Sequence, residues 1–585
     1  MTPMGGQPAP NVSARRRAPS RAIAAANTGT LFFLCGFVII ASLILGGGTR
    51  GGFLSDAILQ LIAIPLLLIS LWRLIEIPLT GQMRLALFFC IAIVAIPLVQ
   101  LIPLPPWLWT ALPGRDAAAA TFEILGQNAP WMPISVVPYE TWLSMLSLIP
   151  PLAIFLATMM LPYRERRWLS FVFLAVGVLS VFIGMVQVAQ GQESPWRFFE
   201  FTNATEAVGF FANRNHFAAF LYCLTLFAAV WALQATVVEF AQGERKLDTV
   251  FIVGMIAAFT LLVVLLAGQV MARSRMGLGL TIVALFGGLA LGASDRRIGS
   301  AVGPGKLLAG AVILVVIFSV QFALYRVMER FVVDPLEGAR GAFSRNTIEA
   351  AIAYMPFGSG LGTFVPVYAM FEKPQDTILG IYANHAHNDV AELWLNTGAF
   401  GLALFGMFVV WLALRSVEIW QKRPAEGASQ LDWNLARAAT IVVAVLIVHS
   451  FVDYPLRTGA MMAVLAFACG LLVEPPVSAQ PQTALESLGA RARTRLAEIG
   501  KLLPPALATK LNPVSVSIPK AHAPDLRRIA PPGPDERPTP TPSEAKPLSS
   551  DRRWGAEVDW PEEWSKPPAP ASANNNPQGG SGEGA

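Results

Sequence analysis

The sequence predicts an all-α polytopic membrane protein with about twelve transmembrane helices and a long external loop. Three observations carry that expectation. Only 14% of the 585 residues are charged and 54% are hydrophobic, where ordinary soluble chains hold about 25% charged residues; the mean hydropathy is +0.53. The apolar residues come in long uncharged blocks instead of at a period of 3.6 or 2, as membrane spans require. Finally, alternating the blocks across a bilayer puts the basic short connections on one side.

Residues 1–29 form a Pro/Ala-rich tail with Arg15, Arg16, Arg17 and Arg21. The apolar run Leu31 to Leu45 follows, without a small-x-small cleavage pattern, and a second run opens at Phe53. The first run therefore reads as an uncleaved helix with a cytoplasmic N-terminus. Blocks able to cross a core of about 30 Å fall at 31–48, 53–72, 84–103, 141–162, 168–189, 215–235, 250–270, 277–293, 307–325, 394–414, 437–453 and 458–474. Alternation places Arg73/Arg84, Arg164/Arg166/Arg167, Arg245/Lys246, Arg296/Arg297/Lys306 and Lys422/Arg423 on the N-terminal side and returns the C-terminus there. The positive-inside rule makes that side cytoplasmic. The net charge of +5 is then the basic bias of cytoplasmic loops, not a nucleic-acid surface. Cys35, Cys90, Cys223 and Cys469 each lie in an apolar block, the setting of small core residues and not of disulfides or zinc ligands.

The opposite face carries a Pro/Trp-rich loop near 104–140, a loop near 190–214, a short turn at 271–276 and a long loop at 326–393. The long loop exceeds what a connection needs, and it holds aromatics, Gly turns and a helix-like stretch from Ser344 to Met355. Residues 476–585 form a Pro-rich charged tail that reads as mostly disordered. Within it, 483–503 has helical apolar spacing with Arg491, Arg493, Arg495 and Lys501. That segment fits either a helix on the anionic membrane surface or a solvated linker. The tail, with Trp554, Trp560 and Trp564, is a place for a cytoplasmic partner to dock.

The densest polar constellation is Asn384-His385-Ala386-His387-Asn388-Asp389, followed by Glu392, Trp394, Asn396, Gly398 and Gly401, where the long loop enters a span. A histidine there can act as a general base near neutral pH, and the helix start at Asp389 favours an anion nearby. A polar cap on a helix end is the plain alternative. A metal reading of His385, His387 and Asp389 has only loop spacing behind it, without an H-E-x-x-H or cysteine partner. Arg214, Arg273, Arg275, Arg340 and Arg345 add guanidiniums on the same face, suited to phosphate oxygens. For Arg197 and Arg457 the reading is snorkelling to lipid headgroups. Gly358-Ser359-Gly360-Leu361-Gly362 lacks the Gly-Lys-Ser/Thr ending of a nucleotide loop and reads as a tight turn packed on the bundle.

These motifs resemble the O-antigen ligase family. His387-Asn388, nine residues, Gly398, two more and Gly401 is similar to the family signature His-(Asn/Ser/Gln)-x9-Gly-x2-(Gly/Thr/Tyr). Gly209-Phe210-Phe211-Ala212-Asn213-Arg214-Asn215 resembles its G-x-F-x-N-x-N element, Ser274-Arg275 its S-R turn, and Pro356 to Gly362 its P-x-G-x-G element. His449-Ser450-Phe451-Val452-Asp453-Tyr454-Pro455 resembles a further C-terminal stretch. The ordered set covers about 200–475, preceded by N-terminal helices at 30–199 that match in general character alone.

The resemblance implies a GT-C-like glycosyltransferase of the bacterial inner membrane. Such an enzyme moves a glycan from undecaprenyl diphosphate to an acceptor hydroxyl, on lipid A-core or a growing polysaccharide, at the periplasmic face. It implies His387 as general base and Arg214, Arg275 and Arg345 as diphosphate ligands. Asn388, Asn215, His385 and Gly398 support them, with no cofactor, no metal and inversion at the sugar carbon. The same signature covers lipid A-core ligases, polymerases that lengthen exopolysaccharide or O-antigen, and protein O-glycosyltransferases. A transporter or flippase of lipid-linked sugars is the rival from another class, and it predicts ionisable residues deep within the spans.

Overall fold

The computed structural model describes residues 21–52, 54–200, 202–240, 249–294, 335–377, 383–422, 424 and 429–476. The expected span at 307–325, Arg15–Arg17, Arg245/Lys246, Arg296/Arg297/Lys306, Arg423, the first part of the long loop, segment 483–503 and the tail lie outside these residues.

Three helices open the chain: α1 (Arg21–Leu45), α2 (Leu54–Glu76) and α3 (Gly81–Gln100). The Thr80 side chain caps α3 by accepting the Met83 N–H at 3.2 Å. The Pro/Trp-rich loop folds as β1 (Pro103–Leu104), α4 (Pro106–Trp109), α5 (Asp116–Ile124) and β2 (Met132–Pro133), with β1 and β2 antiparallel. The block expected as a span at 141–162 is the apolar segment Pro138–Met160, built of two successive helices, α6 (Pro138–Leu146) and α7 (Ile149–Met160). Pro150 and Pro151 stand in the first turn of α7, where their missing N–H groups cost nothing but prevent α6 from continuing. Then follow α8 (Tyr163–Gln190), α9 (Arg214–Phe240), α10 (Thr249–Ala272) and α11 (Arg275–Ser294).

The long loop contains α12 (Pro335–Ala353) and α13 (Phe364–Phe371), so the helix expected from Ser344 begins nine residues earlier. The chain ends its described part with α14 (Asp389–Gln421), α15 (Gln430–Ser450) and α16 (Gly459–Val473). Among the described residues, nine helical segments are long and apolar enough to cross a membrane, and Gly29–Leu45 and Gly459–Val473 are shorter apolar helices. The fold is thus a polytopic all-α membrane protein.

Burial orders these helices. The apolar windows of α9 and α15 are 78% buried, whereas those of α2, α3 and α10 are 17–22% buried. The former make the centre of the bundle; the latter leave their apolar surface for lipid. Aromatic rings fill the centre, with Phe173 and Phe467 at 4.9 Å and Phe227 and Phe467 at 5.9 Å. Small residues admit close approach: a Cβ on Gly277 of α11 would lie 2.5 Å from that of Ala218 on α9.

At the C-terminal end of α14 the basic residues turn inward. Arg415 donates to the Leu472 and Val473 carbonyls and pairs with Glu418. Arg166 donates to the carbonyls of Leu161, Met159 and Gly470. These guanidiniums satisfy the open carbonyls at the ends of α7 and α16. The N-terminal end of α14 is the other face, and the polar constellation lies there.

Candidate active site

Three segments meet at that end: the start of α9, the loop 383–388 before α14, and the turn 451–458 between α15 and α16. His387 stands where they join. Its Nδ1 is 3.2 Å from Asp453 Oδ1, and its side chain is 10% exposed. Asp453 is fully engaged. Its Oδ1 also accepts the Tyr454 N–H at 2.9 Å, its Oδ2 accepts from Asn215 Nδ2 at 2.6 Å, and an Arg340 nitrogen stands 4.0 Å from Oδ2. Burial alone would raise this carboxyl. The hydrogen bond and charge of His387, then the charges of Arg340 and His216, outweigh burial and hold it well below the usual carboxylate range. An ionised carboxylate facing Nδ1 fixes the proton there and makes Nε2 the basic atom. No described residue hydrogen-bonds that Nε2.

The His387 backbone is left-handed, with φ +49°, a conformation costing a residue with a Cβ roughly 1–2 kcal/mol. The strain lies where the loop turns into α14. Asn388 caps the helix: its Oδ1 accepts the Ala391 N–H at 3.0 Å, and its Nδ2 donates to Ser344 Oγ of α12 at 3.3 Å.

His385 has a different environment. Its Nδ1 is 3.0 Å from Glu392 Oε1 and its Nε2 is 2.9 Å from the Thr49 carbonyl. Glu392 also accepts the Ala386 N–H at 3.0 Å and faces Arg457 at 3.5 Å. Arg457 in turn pairs with Asp389 at 2.9 Å, and Ser450 Oγ donates to the other Asp389 oxygen at 3.0 Å. Burial would lower the Arg457 guanidinium, but Glu392 and Asp389 more than offset it and raise it above its ordinary value. The headgroup-snorkelling reading of Arg457 is therefore overturned: two buried carboxylates hold it inside. Arg197 is corrected likewise, since it donates to the carbonyls of Gly191, Asn203 and Glu206 and knits its own loop together. The ligand types considered for a metal diverge, His387 to Asp453, His385 to Glu392 and Asp389 to Arg457.

The Tyr454 ring lies among three imidazoles, with centroids 4.4 Å from His385, 4.7 Å from His387 and 4.8 Å from His216. Its hydroxyl accepts from Asn213 Nδ2 at 3.4 Å.

Gly398 has a structural reason. It sits inside α14 with φ +60° and ψ −147°, breaking the helix, and a Cβ there would lie 2.1 Å from the Pro356 carbonyl oxygen. The glycine-rich turn fills the break. Ser359 and Gly360 donate their N–H groups to the Leu395 and Asn396 carbonyls, and the Ala399 N–H donates to the Pro356 carbonyl. Gln100, at the end of α3, clamps both sides: Nε2 donates to the Asn396 carbonyl at 2.8 Å and Oε1 accepts the Leu361 N–H at 2.9 Å. A second buried glutamine, Gln187 of α8, holds the Gly209 loop by accepting the Val208 and Gly209 N–H groups.

Of the expected diphosphate ligands, Arg214 is the first residue of α9 and pairs with Glu206 at 2.6 Å. Arg275 is the first residue of α11. Because Gly277 packs on Ala218, both arginines come to the same end of the α9–α11 pair. Arg345 is 66% exposed and stands 3.8 Å from Asp376. The guanidinium that α12 brings to the dyad belongs to Arg340.

Sequence reasoning gave no role to Asp453, Tyr454, Gln100 or Gln187. For Asp453 a signal existed, an acidic residue directly after an apolar span; the glutamines offered none, since their function is set by tertiary contact. No curated protein matches the chain. Residues 257–406, which hold the Ser274-Arg275 turn, the glycine-rich turn and the His387 loop, match the family model described as O-antigen ligase, the family that the motifs of the sequence resemble.

Proposed function

We propose that this protein is an O-antigen ligase-type glycosyltransferase of the bacterial inner membrane. It transfers a glycan from undecaprenyl diphosphate to an acceptor hydroxyl at the periplasmic face. The observation that carries this reading is the His387–Asp453 pair, whose Nδ1 is engaged and whose Nε2 has no described partner. In the reaction the acceptor oxygen bonds to the anomeric carbon as its bond to the diphosphate breaks, and that electron pair leaves with the phosphate. His387 Nε2 takes the acceptor proton, and the Asp453 charge balances the imidazolium. Arg340, Arg214 and Arg275 neutralise the leaving diphosphate; Arg340 replaces Arg345 in this role because of its place beside Asp453.

The test is complementation in a strain lacking this protein, with lipid-linked and finally attached glycan read by gel and mass spectrometry. His387→Ala abolishes transfer at normal protein level, and lipid-linked glycan accumulates. Long stalled chains identify a ligase; single repeats identify a polymerase. Wild-type transfer by His387→Ala removes the general-base assignment and brings the transporter reading forward.

A further inference from the structure

We infer that Tyr454 is a positioning residue for His387, and that the Asn213-Arg214-Asn215 element acts on this site through it. The two asparagines are spent on consecutive residues of another segment: Asn215 donates to the Asp453 carboxylate and Asn213 to the Tyr454 hydroxyl. One peptide unit thus receives both anchors. Its aspartate fixes the Nδ1 end of His387, and its tyrosine ring supports the imidazole from the side.

The ring geometry shows why an aromatic side chain is required. Tyr454 meets His387 edge-to-face at 77° and His216 at 84°, while it lies at 35° to His385 with a centroid separation of 4.4 Å. Phe343 of α12 stacks at 23° with His387, 5.9 Å away. The imidazole is held between two aromatic rings and a carboxylate, so rotation about its χ angles must displace a packed ring. Tyr454 is 3% exposed. Burial first, then the Asp453 charge, raises its hydroxyl above the usual tyrosine range, so it stays neutral. It takes no proton from the acceptor; it determines where His387 points.

The sequence holds five histidines, so selective 15N-histidine labelling of the full chain in nanodiscs gives a countable set of imidazoles. Long-range 15N–1H spectra read the tautomer of each. The wild type shows His387 in one fixed Nδ1–H form. Tyr454→Leu averages the His387 signal between tautomers, while His449, whose Nδ1 is bonded to Tyr222 at 3.0 Å, keeps its wild-type signal and reports an intact fold. Tyr454→Phe keeps the tautomer but broadens the His387 signal, because the ring stays and its Asn213 anchor is lost, and it decides the case in which Tyr454→Leu does not fold. A His387 signal identical to wild type in Tyr454→Leu, or in Tyr454→Phe where Tyr454→Leu does not fold, overturns the inference.

A second arm rests on the transferase reading and uses undecaprenyl-diphosphate-linked glycan purified from cells lacking this protein. Tyr454→Phe and Asn213→Ala each lower kcat about fivefold at unchanged KM, the size of one ordinary net hydrogen bond, and the double variant is no worse than either. Additive losses, or a rise in KM, overturn the Asn213 link. A wild type without transfer activity sinks the functional reading and leaves the spectroscopic arm to decide the positioning role.

Discussion

His385 and His387 stand two residues apart, each against a buried carboxylate and each packed on the Tyr454 ring. On the His385 side both ring nitrogens are engaged by acceptors, Glu392 and the Thr49 carbonyl, so neither faces an open position. Glu392 belongs to a chain that runs through Arg457 to Asp389 and Ser450 and ties the loop to the α15–α16 turn. On the His387 side Asp453 is saturated by Asn215, its neighbour's N–H and His387 itself. One imidazole nitrogen is left for chemistry. The same residue pair is a strut in one place and, in the reaction we propose, holds the base in the other. What separates them is the second nitrogen.

Replacing each carboxylate by its carboxamide tests that difference most severely. Asp453→Asn keeps the shape of the His387 site and removes the charge that balances the imidazolium. Turnover falls by roughly 10²–10⁴, the usual worth of a general base, while binding of the lipid-linked donor is little changed. Glu392→Gln disturbs a strut, and turnover falls by roughly tenfold through misplacement of the loop. Equal losses in a steady-state transfer assay would erase the distinction between the two pairs.

The strut has its own signature in stability. Arg457→Met leaves Asp389 and Glu392 buried without their shared cation. Removing one member of such a group costs about 3–5 kcal/mol. The variant therefore melts well below wild type in detergent, by tryptophan fluorescence, and Asp389→Asn/Glu392→Gln in the same background recovers much of the loss. If Arg457→Met melts with wild type, the guanidinium is a lipid-facing group after all.

How much of this was legible before the structure depends on the range of the forces involved. Uncharged block length located the long apolar helices seen among the described residues, because a bilayer tests each helix by its own composition. The break at Pro150-Pro151 belongs to local chemistry of the same kind. His387, Asn388 and Gly398 stood out because they lie within one stretch of chain. Asp453 lies 66 residues from its histidine, and Gln100 lies 296 residues from the carbonyl it holds. No period or spacing carries such pairings. Arg457 was misread for the same reason: beside a span, an arginine with lipid around it and one with two distant carboxylates around it look alike in sequence.

Acidity offers the finest discrimination, and its sign can be worked out for Asp453. The folded carboxyl is held below its ordinary value, while in the unfolded chain it titrates near ~3.9. A depressed folded value means that this carboxylate stabilises the fold at pH above ~4 and loses that contribution as pH falls toward the folded value. Comparison of wild type with Asp453→Asn cancels the acid groups that Asp453 does not touch, since these titrate alike in both. Their melting difference, worth roughly 1.5–3 kcal/mol for a hydrogen bond to a charged group, stays level from pH 7 to about pH 5 and shrinks below that. A difference that already closes at pH 6 would mean that the carboxyl is not held ionised by its partners. His387 would then lack the fixed negative neighbour that makes it unlike His385.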